Sequence, residues 1–114
     1  MEAQFVKLDE VRALELGPGF TAFPLFGEDV MLNLVELAPN AVVPEHSHPN
    51  EQLGLVLRGL ATMIVDGVEH ECGPMDAYAI PAGMPHSARF GPEGATVIDV
   101  FQPVREEYRA LWEG

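Results

Sequence analysis

The stretch Pro44-Glu45-His46-Ser47-His48-Pro49-Asn50-Glu51-Gln52 decides the reading of this chain, because only here do two histidines and amide or acidic side chains fall together at regular spacing. In an extended segment, alternation turns His46, His48, Asn50 and Gln52 to one face and Ser47 and Glu51 to the other. Two imidazoles at i and i+2 can point at one centre, and divalent zinc, nickel, iron, manganese or copper accepts imidazole nitrogen readily. On this register the next ligand is Gln52, whereas Glu51 is the ligand if Pro49 shifts the alternation. A second segment, Ile80-Pro81-Ala82-Gly83-Met84-Pro85-His86, presents a third histidine behind a rigid Pro-x-Gly turn. The expected metal set is therefore His46, His48, Gln52 and His86 around one divalent transition metal, with His70 left exposed in a hairpin.

The elements outward from this centre are short strands punctuated by turn residues. Phe20 to Phe26 reads as a strand interrupted at Pro24, which predicts an edge position because proline donates nothing to a ladder. Val30 to Leu37 is apolar on nearly both sides, as a strand between two layers is. Gln52–Leu57 and Leu60–Val65 read as separate strands joined at Arg58-Gly59, and Asp66-Gly67 is a hairpin signal into Val68–Cys72. Val6 to Leu16 mixes strand and helix spacings. The pattern predicts an all-β, antiparallel barrel or jelly roll, with a short helical or extended tail carrying Tyr108 and Trp112.

The run Pro44 to Gly59 resembles the first sequence motif of the cupin superfamily, and Gly73 to His86 resembles the second. Asn40 and Met75 stand where cupins commonly have glycine, and asparagine is the next residue to tolerate positive φ. The resemblance implies a double-stranded β-helix of the cupin type and a metal site. At 114 residues the chain is expected to form one cupin domain over 1–114, with a core of about 20–102 and a C-terminal tail over 103–114.

In Thr96-Val97-Ile98-Asp99-Val100-Phe101-Gln102-Pro103-Val104-Arg105, one acid sits within a β-branched run. Burying an unpaired carboxylate is costly, so Asp99 faces either solvent or a functional cavity. Asp-x-Phe-x-Pro-x-Arg, with His-Ser-His-Pro-x-Glu-Gln at the first motif, is similar to the small pectin-degradation cupins of the KdgF-like group. That resemblance implies conversion of 4,5-unsaturated uronates to linear 5-keto-4-deoxyuronate, with Asp99, Phe101 and Arg105 matching pocket residues beside the metal. Asp99 suits general acid/base work, Arg105 a planar fork for a substrate carboxylate, and Phe101 a surface for the sugar. Leu55 departs from the aromatic common in that group. The residues are also compatible with a cupin dioxygenase or other metal enzyme on a small organic acid or aromatic, and with a non-catalytic small-ligand sensor.

Composition narrows the partners. The chain has 114 residues and a formal net charge of -12, with a pI of about 4.4. So acidic a surface repels phosphate backbones and anionic lipid, which argues against nucleic-acid or membrane binding. An anionic small-molecule substrate then needs a metal or a locally placed cation. The single cysteine, Cys72, forms no internal disulfide, and the N-terminus has no basic region leading into an apolar run; a cytoplasmic protein is expected. Small size and barrel edges predict a homodimer.

Overall fold

A computed structural model describes residues 1–114. After a single 3-10 turn at Leu8–Glu10 come eight strands: β1 (Leu14–Gly17), β2 (Phe20–Phe26), β3 (Met31–Leu37), β4 (Val42–His46), β5 (Glu51–Val65), β6 (Val68–Cys72), β7 (Ala77–Ile80) and β8 (His86–Gln102). One helix, α1 (Glu106–Glu113), follows. The mixed spacings of Val6 to Leu16 thus resolve into a helical turn followed by the first strand.

All pairings are antiparallel, and two long strands, β5 and β8, organise them. The first half of β5 and the second half of β8 pair with each other and with β7 and β3 respectively, continuing outward to β2 and β1. The other halves pair with each other and with β6 and β4. Two sheets therefore share their central strands, and the strands bend where they pass from one sheet to the other. Arg58-Gly59, expected as a turn between two strands, lies instead inside the continuous β5. The register slips there, Gly59 takes φ 84°, and its missing Cβ leaves room for the carbonyl of Gly94 on β8. Glycine at this corner permits both the positive φ and the close approach.

Pro24 pairs opposite Asn33, and β2 has neighbours on both sides, so β2 is not an edge strand as a whole. The proline is nevertheless tolerated for the expected reason: β1 pairs only as far as Ala22, leaving the outer side of Pro24 without a ladder partner. Asn40, Asp66 and Met75 all adopt positive φ, the first two as their residue types favour.

Alternation on β3 is clean, with Met31, Asn33, Val35 and Leu37 all buried. The main apolar cluster joins Val35, Leu37, Val56, Ala61, Met63, Ile80 and Val97, and a smaller one joins Met31, Phe101 and Val104 next to Tyr108 of α1. The tail packs on its own chain: Trp112 lies 5.7 Å from Phe26, ring centre to ring centre, and donates its indole N–H to the carbonyl of Arg12. No helix is long and apolar enough to cross a membrane.

Candidate metal centre

The histidines converge from three places. His46 ends β4, His48 lies in the irregular link Ser47–Asn50, and His86 opens β8 directly opposite His46. The extended register read through Pro49 is therefore broken, and Asn50 leaves the histidine face; its side-chain amide instead donates to the carbonyl of Pro103 at 2.6 Å. The Pro-x-Gly turn holds the two segments together, since the Gly83 N–H donates to the carbonyl of His48 at 2.8 Å. One ring nitrogen from each of His46, His48 and His86 lies within 4.8 Å of the others.

Each imidazole is oriented by its own backbone. Nδ1 of His46, His48 and His86 faces the carbonyl of Pro44, Asn50 and Met84 at 2.9, 3.0 and 2.8 Å. A carbonyl only accepts, so each Nδ1 carries the proton and each Nε2 is left with a lone pair, the tautomer a metal requires. Burial pushes the pKa of both His48 and His86 below the ordinary histidine range, with Arg105 adding to the effect, so the rings stay neutral.

Two observations show that this donor set fits a cation. The Nε2 of His86 is buried without any hydrogen-bond partner. The Nε2 of His48 faces Oε1 of Gln52 at 3.1 Å, and that amide is held in this sense because its Nε2 donates to Asp99 at 3.1 Å. With Nδ1 already the protonated nitrogen, two acceptors confront one another, and a divalent ion satisfies both. Gln52 is buried and Glu51 is exposed, so it is the amide that faces the histidines. His70 is exposed, away from the cluster.

Asp99 faces the cavity. Val97, Asp99 and Phe101 line it together, as the alternation of β8 requires. The Oδ1 of Asp99 accepts hydrogen bonds from Gln52 at 3.1 Å and from the Tyr78 hydroxyl at 2.9 Å. Part of the residue remains open to the cavity, but protein encloses the rest, and burial outweighs both hydrogen bonds and Arg105 to push its pKa up to about 6. Burial, then the adjacent Asp99, drives the Tyr78 phenol far above its ordinary value, so it remains a donor.

Tyr78 did not emerge from the sequence as a functional residue. Its signal was Gly54, a glycine inside a strand. Gly54 pairs with Tyr78 on one side and Asp99 on the other, and a Cβ there would collide with the Tyr78 ring. The phenol crosses over this bare position to reach the acid. Asn33, the cross-strand partner of Asp99 on β3, also lines the cavity and also went unread.

Of the six basic residues, Arg105 alone lines this cavity. Its guanidinium lies over Tyr108 at 4.4 Å and over Phe101 at 5.2 Å, and Nε donates to Glu107 at 2.8 Å. The fork is thus partly engaged before any ligand arrives. Phe101, only 3% exposed, packs edge-on against His48 and beneath Arg105, so its contacts are chiefly with neighbours in the site. The inner cavity has a volume of about 60 Å³ and shares Phe20, Val43, His46, Arg105 and Tyr108 with an outer groove of about 790 Å³.

Residues 33–101 match the family described as Cupin_2, the cupin domain. The chain belongs to the cupin family. Among curated cupin relatives, the pectin degradation protein KdgF of Dickeya dadantii is 28% identical over 102 residues, 88% of this chain and 93% of that protein. The dimethylsulfoniopropionate lyase DddW of Ruegeria pomeroyi is 34% identical over 85 residues, 75% of this chain, and this chain spans about half the length of that enzyme, 54%. KdgF from a Halomonas species superposes with a TM-score of 0.87 at 26% identity, covering 94% of this chain and 99% of that one. An RmlC-like cupin from Shewanella frigidimarina superposes at 0.86, also at 26% identity, covering 94% and 96%. The jelly-roll fold read from the strand pattern and the cupin motifs holds, as does the KdgF-like type read from the first motif and the Asp-x-Phe-x-Pro-x-Arg ending.

Proposed function

We propose that this chain is a metal-dependent enzyme that opens 4,5-unsaturated uronates, the products of pectin or alginate cleavage, to linear 5-keto-4-deoxyuronate. The observation that carries the proposal is Asp99, a carboxyl with its pKa raised to about 6, held by Gln52 and Tyr78 in the cavity that His46 and His86 line. Similarity to KdgF over nearly the whole chain supports the substrate class.

His46, His48, His86 and Gln52 hold the ion, all as neutral ligands. When bound, it supplies an undiminished positive charge that stabilises negative charge developing on oxygen. In the ring opening, the anomeric hydroxyl loses a proton as the ring C–O bond breaks, and carbon 4 gains one as the enol becomes a ketone. The atoms balance with neither oxidant nor water. Asp99 accepts the first proton and delivers the second, a role suited to a pKa of about 6. Gln52 and Tyr78 keep Oδ1 occupied, which leaves Oδ2 to move the proton. Arg105 offers its remaining N–H groups to the substrate carboxylate in a protein whose surface otherwise repels anions. Phe101 fixes His48 and Arg105 from behind.

A proton NMR time course with metal-loaded protein and 4,5-unsaturated galacturonate tests the reading. Loss of the vinyl signal well above the spontaneous rate, without oxygen uptake, is expected. An unchanged rate at full metal occupancy refutes it. The 34% identity to DddW favours a second reading, lyase action on dimethylsulfoniopropionate, for which release of dimethyl sulfide is the readout.

Two further elements belong to this proposal. The enzyme acts in the cytoplasm, in keeping with a single buried and unpaired Cys72. It acts as a homodimer through the outer sheet face, where Leu25–Leu32–Val100–Leu53 and Phe23–Leu34–Ile98–Leu55 form two apolar rows across four strands. Leu53→Glu is expected to give a monomer in sedimentation, and an unchanged mass rejects this interface.

A further inference from the structure

Asn33 stands apart from every other residue on the inner face of β3. Its neighbours at the alternate positions are Met31 and Val35, and Ala22 and Pro24 lie on the adjoining strand, all buried and apolar. Asn33 itself is only 1% exposed, yet its Oδ1 has no hydrogen-bond partner. A carboxamide in such surroundings is expected to be paired, because an unsatisfied buried acceptor has lost its water and gained nothing. Turning the amide end for end does not help, since it leaves the nitrogen unpaired in the same place. The amide belongs to the lining of the inner cavity; Oδ1 is closed to water as it stands, so a ligand hydroxyl reaches it from there by a turn of the side chain.

The only other orphaned buried atom among the cavity-lining residues is Nε2 of His86, which the metal accounts for. Asn33 is too apolar in its surroundings to be part of that ligand set. Its position is set instead by Asp99, its direct cross-strand partner. Side chains so paired have Cβ atoms about 5 Å apart, a spacing that suits contacts to oxygens on neighbouring carbons of one small molecule.

We infer that Asn33 is a specificity-determining residue that accepts a hydrogen bond from a ligand hydroxyl adjacent to the group on which Asp99 acts, which restricts the pocket to hydroxylated acids. The inference rests on the proposed sugar-acid chemistry and adds the residue that reads the sugar. At about 60 Å³ the inner cavity admits only the reacting end of such a molecule, so Asn33 meets the hydroxyl nearest the chemistry and the remainder lies in the outer groove. A site built to bind a hydroxyl discriminates strongly against an analogue lacking it, because the protein's own polar atom is then left buried and unpaired.

The test uses metal-loaded wild type, Asn33→Leu, which keeps the fork at Cγ without its polar atoms, and Asn33→Ser. Turnover is measured on 4,5-unsaturated galacturonate and its monodeoxy analogues, and binding of unreactive galacturonate and its monodeoxy analogues by calorimetry. Asn33→Leu is expected to lose tenfold or more in kcat/KM and in galacturonate affinity, and to match wild type on one deoxy analogue. Without ligand, Asn33→Leu is expected to melt no lower than wild type; if it fails to fold, the same comparison is made with Asn33→Ser. Equal losses on parent and all deoxy compounds, no loss on any, or a lower melting temperature for both ligand-free variants overturns the inference. Asn33-dependent binding of galacturonate without any turnover by wild type defeats the proposed reaction and leaves the inference standing. A wild type that neither turns over nor binds these acids defeats both.

Discussion

Two rungs of the same sheet, two residues apart, behave as different materials. Val35, Val97 and Val56 lie side by side across β3, β8 and β5, each at most 3% exposed, in the main apolar cluster. One inner-facing step along, Asn33, Asp99 and Gly54 occupy the same three strands, with Tyr78 completing the rung from β7. Strand direction and pleat are shared along β3, β8 and β5, so the difference lies in the side chains and in β7, which pairs with Gly54 and stops short of Val56. The valine rung gains by excluding water and leaves no polar atom wanting. The other rung holds an acid with its pKa raised to about 6, an amide oxygen without a partner, and a phenol passing over a bare glycine. Such a rung costs stability, and the fold retains it where the cavity and the histidines are.

Substitutions across the two rungs separate these roles. Gly54→Ala has the largest expected effect: its Cβ takes the space of the Tyr78 ring, costing about 3 kcal/mol in denaturant unfolding and breaking the contact with Asp99. Val56→Ala, in the apolar rung and outside the cavity lining, is expected to cost about 2 kcal/mol from lost burial and a residual void while leaving KM unchanged.

Asp99→Asn is expected to act in the opposite direction on the metal-free protein. The folded pKa of about 6 lies above the unfolded value of 3.8, so the folded state binds the extra proton between them. Wild-type stability is therefore greatest below the unfolded value and falls as pH rises through 6. The variant is expected to be more stable than wild type by roughly 2 kcal/mol at pH 7.5, with the advantage vanishing near pH 4. A constant difference across that range assigns the effect to packing instead of charge.

Tyr78→Phe has the smallest expected effect, about 1 kcal/mol from one lost hydrogen bond. That bond lowers the Asp99 pKa, so its loss moves the acidic limb of the pH–rate profile to higher pH.

The valine rung and the strands around it were legible because alternation and turn residues act locally. The histidines were legible because His46 and His48 are close in sequence and His86 follows a recognisable turn. Asp99 stood out as an acid among β-branched residues. What could not be read depends on registry between distant strands. Tyr78 has value only because Gly54 lies between it and Asp99, and Asn33 only because β3 places it opposite that acid. The corner at Gly59 read as a turn because the positive φ it adopts is also what a turn uses. Extended alternation through Pro49 named Gln52 correctly as facing the histidines but misplaced Asn50, which binds the Pro103 carbonyl once the link curls.

The most direct measurement is turnover of 4,5-unsaturated galacturonate by wild type and Asp99→Asn, with bound metal quantified on the same samples. Asp99 is the proposed proton carrier and lies outside the histidine set. The variant is therefore expected to keep stoichiometric metal while its rate falls by about a thousandfold. Full turnover by a fully metallated Asp99→Asn protein contradicts the account.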